Sequence, residues 1–363
     1  MSLKHAEEYR DAEISRKLAE HIRRISRKNI RLMEVCGTHT VSIFRSGIRS
    51  LLPDTVSLLS GPGCPVCVTA QQEIDAFISL SRIENVTVAT FGDLLRVPGT
   101  ESSLEKERAE GRDIRMVYSA FDALDIAKKH PDREVVFLGV GFETTAPTIA
   151  ASVLSAREMK LKNYSVFSAH KQVPPALFAL METAGVQVQG FILPGHVSVI
   201  IGMKAYISFF EKHRIPSVIA GFESGDILRA IFMLISQIES DKPQLENSYP
   251  RAVTFEGNEK AVKIMHEVFE PADAVWRGLG IITESGLEIR EEFAQFDAKR
   301  KFGIRTCESD VQPKGCACGE ILTGLKTPPE CSLYKKICTP MNPVGPCMVS
   351  TEGTCAAYCR YYE

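Results

Sequence analysis

Over 363 residues the chain holds no run of about 18 apolar residues that could span a bilayer, so no membrane role is expected. Its opening, MSLKHAEEYRDAEISRK, lacks the apolar stretch of a secretory signal, and the expected location is the cytoplasm. An excess of either charge is missing too. The 43 basic and 45 acidic side chains leave no field to gather polyanions, and nucleic acid is not an expected partner. The glycine-rich turns lack the GxGxxG order of a dinucleotide site. Nor is there a second CxxC to complete the paired knuckles of structural zinc around the single CPVC at Cys64–Cys67.

What the chain does have is cysteine, eleven in all. In a reducing compartment these do not make a static disulfide framework, which leaves metal binding or redox chemistry. The 44% of hydrophobic residues is ample for burial, and the length suits two similar-sized domains plus a smaller one.

Residues 5–25 set Ile14, Leu18, Ile22 and Ile25 at helical spacing among charges, predicting an amphipathic helix. From residue 28 short apolar runs end in glycine- or threonine-rich turns and lead into helical stretches, the βα signature of a parallel sheet. The runs are RLMEV, VSLLSG, VTVATF, EVVFLGVGF, YSVFSAH, GFILPGH and PSVIAGF. Three of them repeat in order: RLMEVCGTHT resembles VFLGVGFETTAPT, LLSGPGCPVC resembles GFILPGHVSV, and ATFGDLLR resembles AGFESGDILR. SAHKQVPPAL has no counterpart. The fold expected is α/β: a first parallel-sheet lobe over 1–130, a related second lobe over 131–245, and a C-terminal domain over 246–363. DKPQLENSYP reads as the linker into the last, followed by a strand RAVTFEG, a helix NEKAVKIMHEVF and the run VWRGLGIITES.

Three constellations carry chemistry. The tail places Cys316, Cys318, Cys331, Cys338, Cys347, Cys355 and Cys359 in a segment too short of apolar residues to hold itself together. Irregular spacings suit an iron–sulfur cluster that gathers thiolates from several loops. A cubane takes about four thiolates, which leaves cysteines to spare. One of Cys316 and Cys318 is expected to point away and form a disulfide with another spare cysteine, able to exchange electrons with a neighbouring cluster. Second, Cys36 in CGTHT lies at a strand-to-helix turn, where the helix dipole and His39 should favour the thiolate, a nucleophile or soft metal ligand. The plainer reading is a buried cysteine with a threonine cap. Third, Cys64 and Cys67 in GPGCPVC lie between strand VSLLS and helix TAQQEIDAFISL, the arrangement of a dithiol redox pair. Glu143, Thr144 and Thr145 of GFETTAPT and His196 of PGHVS end matching strands and could meet Cys36 and Cys64 in one cleft. Singly, Thr or Ser there serves as a helix cap. Asp93 and Glu223 are weaker candidates.

Together CGTHT, GPGCPVC, GFETTAPT, PGHVSVIIG and the CxC…TP…GxCMVSxEGxC tail resemble the HypD family of [NiFe]-hydrogenase maturation proteins, from around Arg31 to Cys355. The resemblance implies two α/β domains and a C-terminal domain binding a [4Fe–4S] cluster. It implies a partner, the small chaperone HypC, with which an iron carrying cyanide and carbonyl ligands is assembled, and a transient partner, HypE, as cyanide donor. The iron-site residue carries over to Cys36, with His39 beside it, and the CPxC pair to Cys64 and Cys67. Cluster ligands carry over to Cys316, Cys331, Cys338 and Cys355, leaving Cys318 and Cys347 as a candidate redox disulfide like that of ferredoxin:thioredoxin reductase. Cys307 and Cys359 fall outside the shared pattern. The function expected is a maturation scaffold; the competing readings are a general thiol–disulfide oxidoreductase and a zinc-stabilised interaction protein.

Overall fold

A computed structural model describes residues 12–304 and 312–362. The chain is α/β, and its two larger sheets are wholly parallel. Among the described residues eleven strands follow in order: β1 Ile30–Glu34, β2 Val56–Ser60, β3 Val86–Thr90, β4 Ile114–Met116, β5 Glu134–Gly139, β6 Tyr164–Ser168, β7 Gly190–Pro194, β8 Ser217–Ala220, β9 Leu245–Asn247, β10 Phe269–Trp276 and β11 Gly280–Ile289. Strands such as β3, β6 and β7 are buried along their whole length, which is why they read as unbroken apolar runs rather than alternating ones.

The first sheet runs β2-β1-β7-β8-β9 and the second β4-β3-β5-β6. The sheets are therefore not the consecutive lobes 1–130 and 131–245. The chain leaves the first sheet after β2, builds the second from β3 to β6, and returns at β7. The repeated runs fall on strands of both sheets, because each parallel strand closing on a tight turn before a helix produces the same pattern.

Three local expectations are corrected. DKPQLENSYP is no linker, since Leu245–Asn247 within it pairs with β8 as the outer strand of the first sheet. RAVTFEG forms turns rather than a strand, while the helix after it is present as Glu259–Val268. VWRGLGIITES is the tip of the antiparallel hairpin β10–β11. The opening helix runs Ala12–Ile25 and packs on helix Ser224–Ser240; the residues before it lie outside the described ones.

The hairpin ties the sheets to the tail. Trp276, the only tryptophan, is fully buried, donates from Nε1 to Ser285 Oγ at 2.8 Å and stacks on Phe142. Arg277, equally buried, donates from its backbone N–H to Val68 O, from Nε to Thr69 O and from both terminal nitrogens to Gln71 Oε1. One apolar core joins Met33, Val35 and Phe191 under the first sheet to Cys318, Ile321, Cys347 and Met348 of the tail.

Candidate metal and thiol site

In each parallel sheet the strand order reverses at one point: from β1 the chain turns outward to β2, from β7 outward to β8. Loops at the C-terminal ends of β1 and β7 therefore flank a crevice. Cys36 follows β1, and His196 follows β7.

Cys36 occupies the N-cap position of helix Gly37–Arg45. Its N–H donates to Glu34 Oε2 at 2.9 Å, and the Thr40 hydroxyl donates to Glu34 Oε1. Glu34 thus clasps the turn from below. No motif singled it out, because a carboxyl at the end of a buried strand reads as an interruption of the apolar run; burial pushes it up to about 8.

Cys36 is 7% exposed. Burial pushes its pKa up to about 12; the backbone N–H of His39 opposes the rise, while the Glu352 and Glu34 carboxyls add to it. This corrects the expectation of a favoured thiolate: the helix start does help, but desolvation outweighs it. His39 lends no charge either. Its Nε2–H donates to Gly221 O at 2.9 Å, Nδ1 is buried without a partner, and burial lowers its pKa to about 4. At neutral pH Cys36 is therefore a thiol rather than a thiolate.

Cys64 caps a one-turn helix, Pro65–Val68, and is joined to Cys67 by a disulfide with the Cα atoms 5.2 Å apart. The longer helix, Gln71–Ser81, begins separately after Ala70. Gly37 N–H donates to Gly63 O at 2.9 Å, so the two cysteine turns are hydrogen-bonded neighbours.

The tail supplies the next wall. Thr38 Oγ donates to Glu352 Oε1 at 2.6 Å, and a Cβ at Gly37 would stand 2.5 Å from Glu352 Cβ and 2.9 Å from its carbonyl oxygen. Glycine is required for this approach. A cleft of about 400 Å³ results, lined by Cys36, Thr38, Thr144, Thr145, His196 and Glu352 among apolar neighbours. Glu352 was not foreseen, although its place beside CMVS in the tail pattern was the available signal.

Glu143 does not line this cleft. Its Oε1 accepts from Val173 N–H at 2.9 Å, and it faces a separate cavity with Gln172, Pro174 and Ile201. Burial pushes its carboxyl up to about 7. Thr145 precedes helix Ala146–Glu158, but its hydroxyl donates back to Phe142 O rather than capping the helix. Asp93 Oδ2 accepts from the Ser350 hydroxyl, and Glu223 holds the N-cap position of helix Ser224–Ser240.

Cys316, Cys318, Cys331, Cys338, Cys347 and Cys355 surround one small enclosed space together with Ile321, Leu333 and Met348. Cys318 Sγ and Cys347 Sγ lie 3.2 Å apart, and Val344 N–H donates to Cys338 Sγ at 3.3 Å. Hydrogen bonding with Cys318 and burial push the Cys316 thiol upward. Among the described residues no group of three or more His, Cys, Asp or Glu is placed to hold a single metal ion. Cys359 is half-buried behind this space, and Cys307 lies outside the described residues. Helix Pro346–Val349, which carries Cys347, packs on helix Pro65–Val68, so the thiol nest backs onto the CPVC turn.

A sequence model of the HypD family, described as the hydrogenase formation hypA family, matches residues 13–362. The chain is similar to hydrogenase maturation factor HypD of Cupriavidus necator, with 44% identity over 99% of this chain and 97% of the relative. It is 46% identical to hydrogenase maturation factor HypD of Azotobacter vinelandii, again over 99% and 97%. A putative hydrogenase expression/formation protein of Methanocaldococcus jannaschii is 43% identical over 97% and 98%. On these matches the chain belongs to the HypD family of hydrogenase maturation factors.

Proposed function

We propose that the chain is a [NiFe]-hydrogenase maturation scaffold that, with HypC, holds and assembles the Fe(CN)2CO unit, with HypE as transient cyanide donor. The observation that carries this reading is Cys36: a single unbonded thiol facing a small cleft, one hydrogen-bonded turn from a disulfide. The iron is cargo. A soft thiolate suits it, and cyanide and carbonyl favour a low-spin ferrous centre, which a water-poor, thiol-bearing cleft protects. Cys36 would bind the iron and give up its proton on doing so. The cleft walls of Thr38, Thr144, Thr145 and His196 offer hydroxyl and imidazole groups to bound ligands.

The donor set of the tail fits a [4Fe–4S] cluster. Thiols set around an enclosed, partly apolar space suit a group in which each iron takes one thiolate. Cys316, Cys331, Cys338 and Cys355 would hold it. When bound, the cluster would supply electrons to the neighbouring thiol pairs. Cys318 and Cys347, already in contact, can close to a disulfide with release of two protons and two electrons. Reduction of Cys64–Cys67 takes up the same numbers. Both members of that disulfide are buried, which disfavours a general oxidoreductase acting on other proteins.

The test is the metal and sulfide content and the infrared spectrum of the protein purified without oxygen together with HypC. Cyanide and carbonyl stretches with iron and acid-labile sulfide are expected. Zinc as the only metal, with no such stretches, contradicts the reading.

A further inference from the structure

Behind the Cys36 cleft three rings form one stack. The His196 imidazole, exposed at the cleft wall, lies 3.8 Å from the Phe222 ring with 25° between planes. Phe222 also stacks on His39, at 4.7 Å and 28°, and meets Tyr249 edge-on at 6.2 Å. His39 is held in its turn by Nε2–H donation to the carbonyl of Gly221, the residue before Phe222. The fold makes room for the stack: a Cβ at Gly195 would clash with the Ala220 carbonyl oxygen and stand 3.1 Å and 3.2 Å from Phe222 ring carbons, so glycine before His196 lets the β7 turn approach both the neighbouring strand end and the phenyl ring.

The His39 imidazole is engaged elsewhere than at Cys36: its Nε2–H is spent on the Gly221 carbonyl and its Nδ1 is buried without a partner. What it does touch is the Gly221–Phe222 turn, and what that turn touches is His196. We infer that His39 and Phe222 are positioning residues: His39 fixes Phe222 by ring contact and backbone hydrogen bond, and Phe222 fixes the His196 imidazole against the cleft that holds Cys36. One rotamer of His196 is selected from those that an imidazole beside an open cleft could otherwise adopt. The functional residue of the CGTHT and PGHVS motifs that meets bound groups is then His196, while His39 acts on it from one ring away.

This inference rests on the Cys36 cleft being the working site, but its test reads the free protein without iron, so the two can fail separately. His196 is carbethoxylated with diethyl pyrocarbonate at neutral pH, and its rate is followed by peptide mass analysis apart from the other histidines. Phe222→Leu is expected to speed the reaction by roughly threefold to tenfold, the factor that loss of one aromatic stacking contact corresponds to. His39→Ala is expected to speed it similarly although His39 does not stack on His196, and the double variant should be no faster than the faster single one, because both act along one path. Phe222→Tyr, which keeps the ring, should keep the wild-type rate, and His39→Gln, whose amide can still donate to Gly221 O but which lacks the ring, should be slower than His39→Ala; both exclude general loosening. An unchanged rate in His39→Ala, multiplying effects in the double variant, or rescue variants as fast as the disrupted ones overturns the inference.

Discussion

Burial, rather than local charge, sets the state of the titratable groups at the centre of this protein. Cys36, Glu34 and His39 are held in their neutral forms at neutral pH by desolvation, even where hydrogen bonds oppose it, and the same cause raises the Glu143 carboxyl to about 7. Glu143 offers a direct check. Its carboxyl is raised from 4.5 to about 7, so folding favours the protonated form; its stabilising contribution is complete below pH 4.5 and is lost as the pH rises through 7. Glu143→Gln keeps an acceptor for Val173 N–H without the titration. Urea unfolding across pH should find variant and wild type close at pH 4.5. The variant should then gain about 1.4 kcal/mol for each unit by which folding raises the wild-type pKa, levelling off above 7. A pH-independent difference contradicts the assignment. The cysteines, His39, His196 and the threonines were legible in the sequence because such residues stand out beside glycine-rich turns. Glu352 and Phe222 were not, because their roles are contacts with residues distant in the chain: Glu352 meets Gly37 and Thr38, and Phe222 meets His39 and His196; Glu34, whose partners Cys36 and Thr40 are near, was hidden at the end of an apolar run.

The elements that matter most are short. A single helical turn, Pro65–Val68, starts at Cys64 and carries Cys67, and another, Pro346–Val349, which carries Cys347, packs on it; the sequence pattern read the first only as the turn before the following helix. The nine-residue helix Gly37–Arg45 lies between them in function: Cys36 caps its start, Glu352 crosses its first turn, and its Phe44 packs edge-on against Tyr358 of helix Thr354–Tyr361, the helix that carries Cys355. The thiol site and the tail therefore share a structural element. Gly37→Ala inserts a methyl group where Glu352 lies, and the expected cost is about 1–3 kcal/mol, the range for overpacking a filled site. The tail should also be freed from the cleft. Denaturant unfolding together with limited proteolysis at the tail reads both effects, and an unchanged stability with an equally protected tail would show that the approach is not tight.

At the scale of the whole molecule, one arrangement joins everything. A four-stranded sheet is built within a chain excursion between β2 and β7 of a five-stranded one, so that loops from β1, β2, β5 and β7 and the cysteine-rich tail come to a common cleft. The parallel α/β class was legible from the run-and-turn rhythm. The interleaving was not, because strand order depends on pairing between segments far apart, and similar βα units carry no mark of which sheet they join. The SAHKQVPPAL segment, without a counterpart in the repeat, belongs to this joining: Lys171 forms a buried ion pair with Glu73 at 2.8 Å and a bridge to Gly286 of the hairpin. The central claim is that Cys36 alone in this cleft binds the assembling iron, while the tail thiols form a separate centre. Infrared spectroscopy of the Cys36→Ala protein, prepared without oxygen in complex with HypC and paired with iron and sulfide analysis, tests it most directly. The account predicts that the cyanide and carbonyl bands disappear while cluster iron and sulfide stay at the wild-type level; bands retained in Cys36→Ala would move the iron to Cys64 and Cys67 and contradict it.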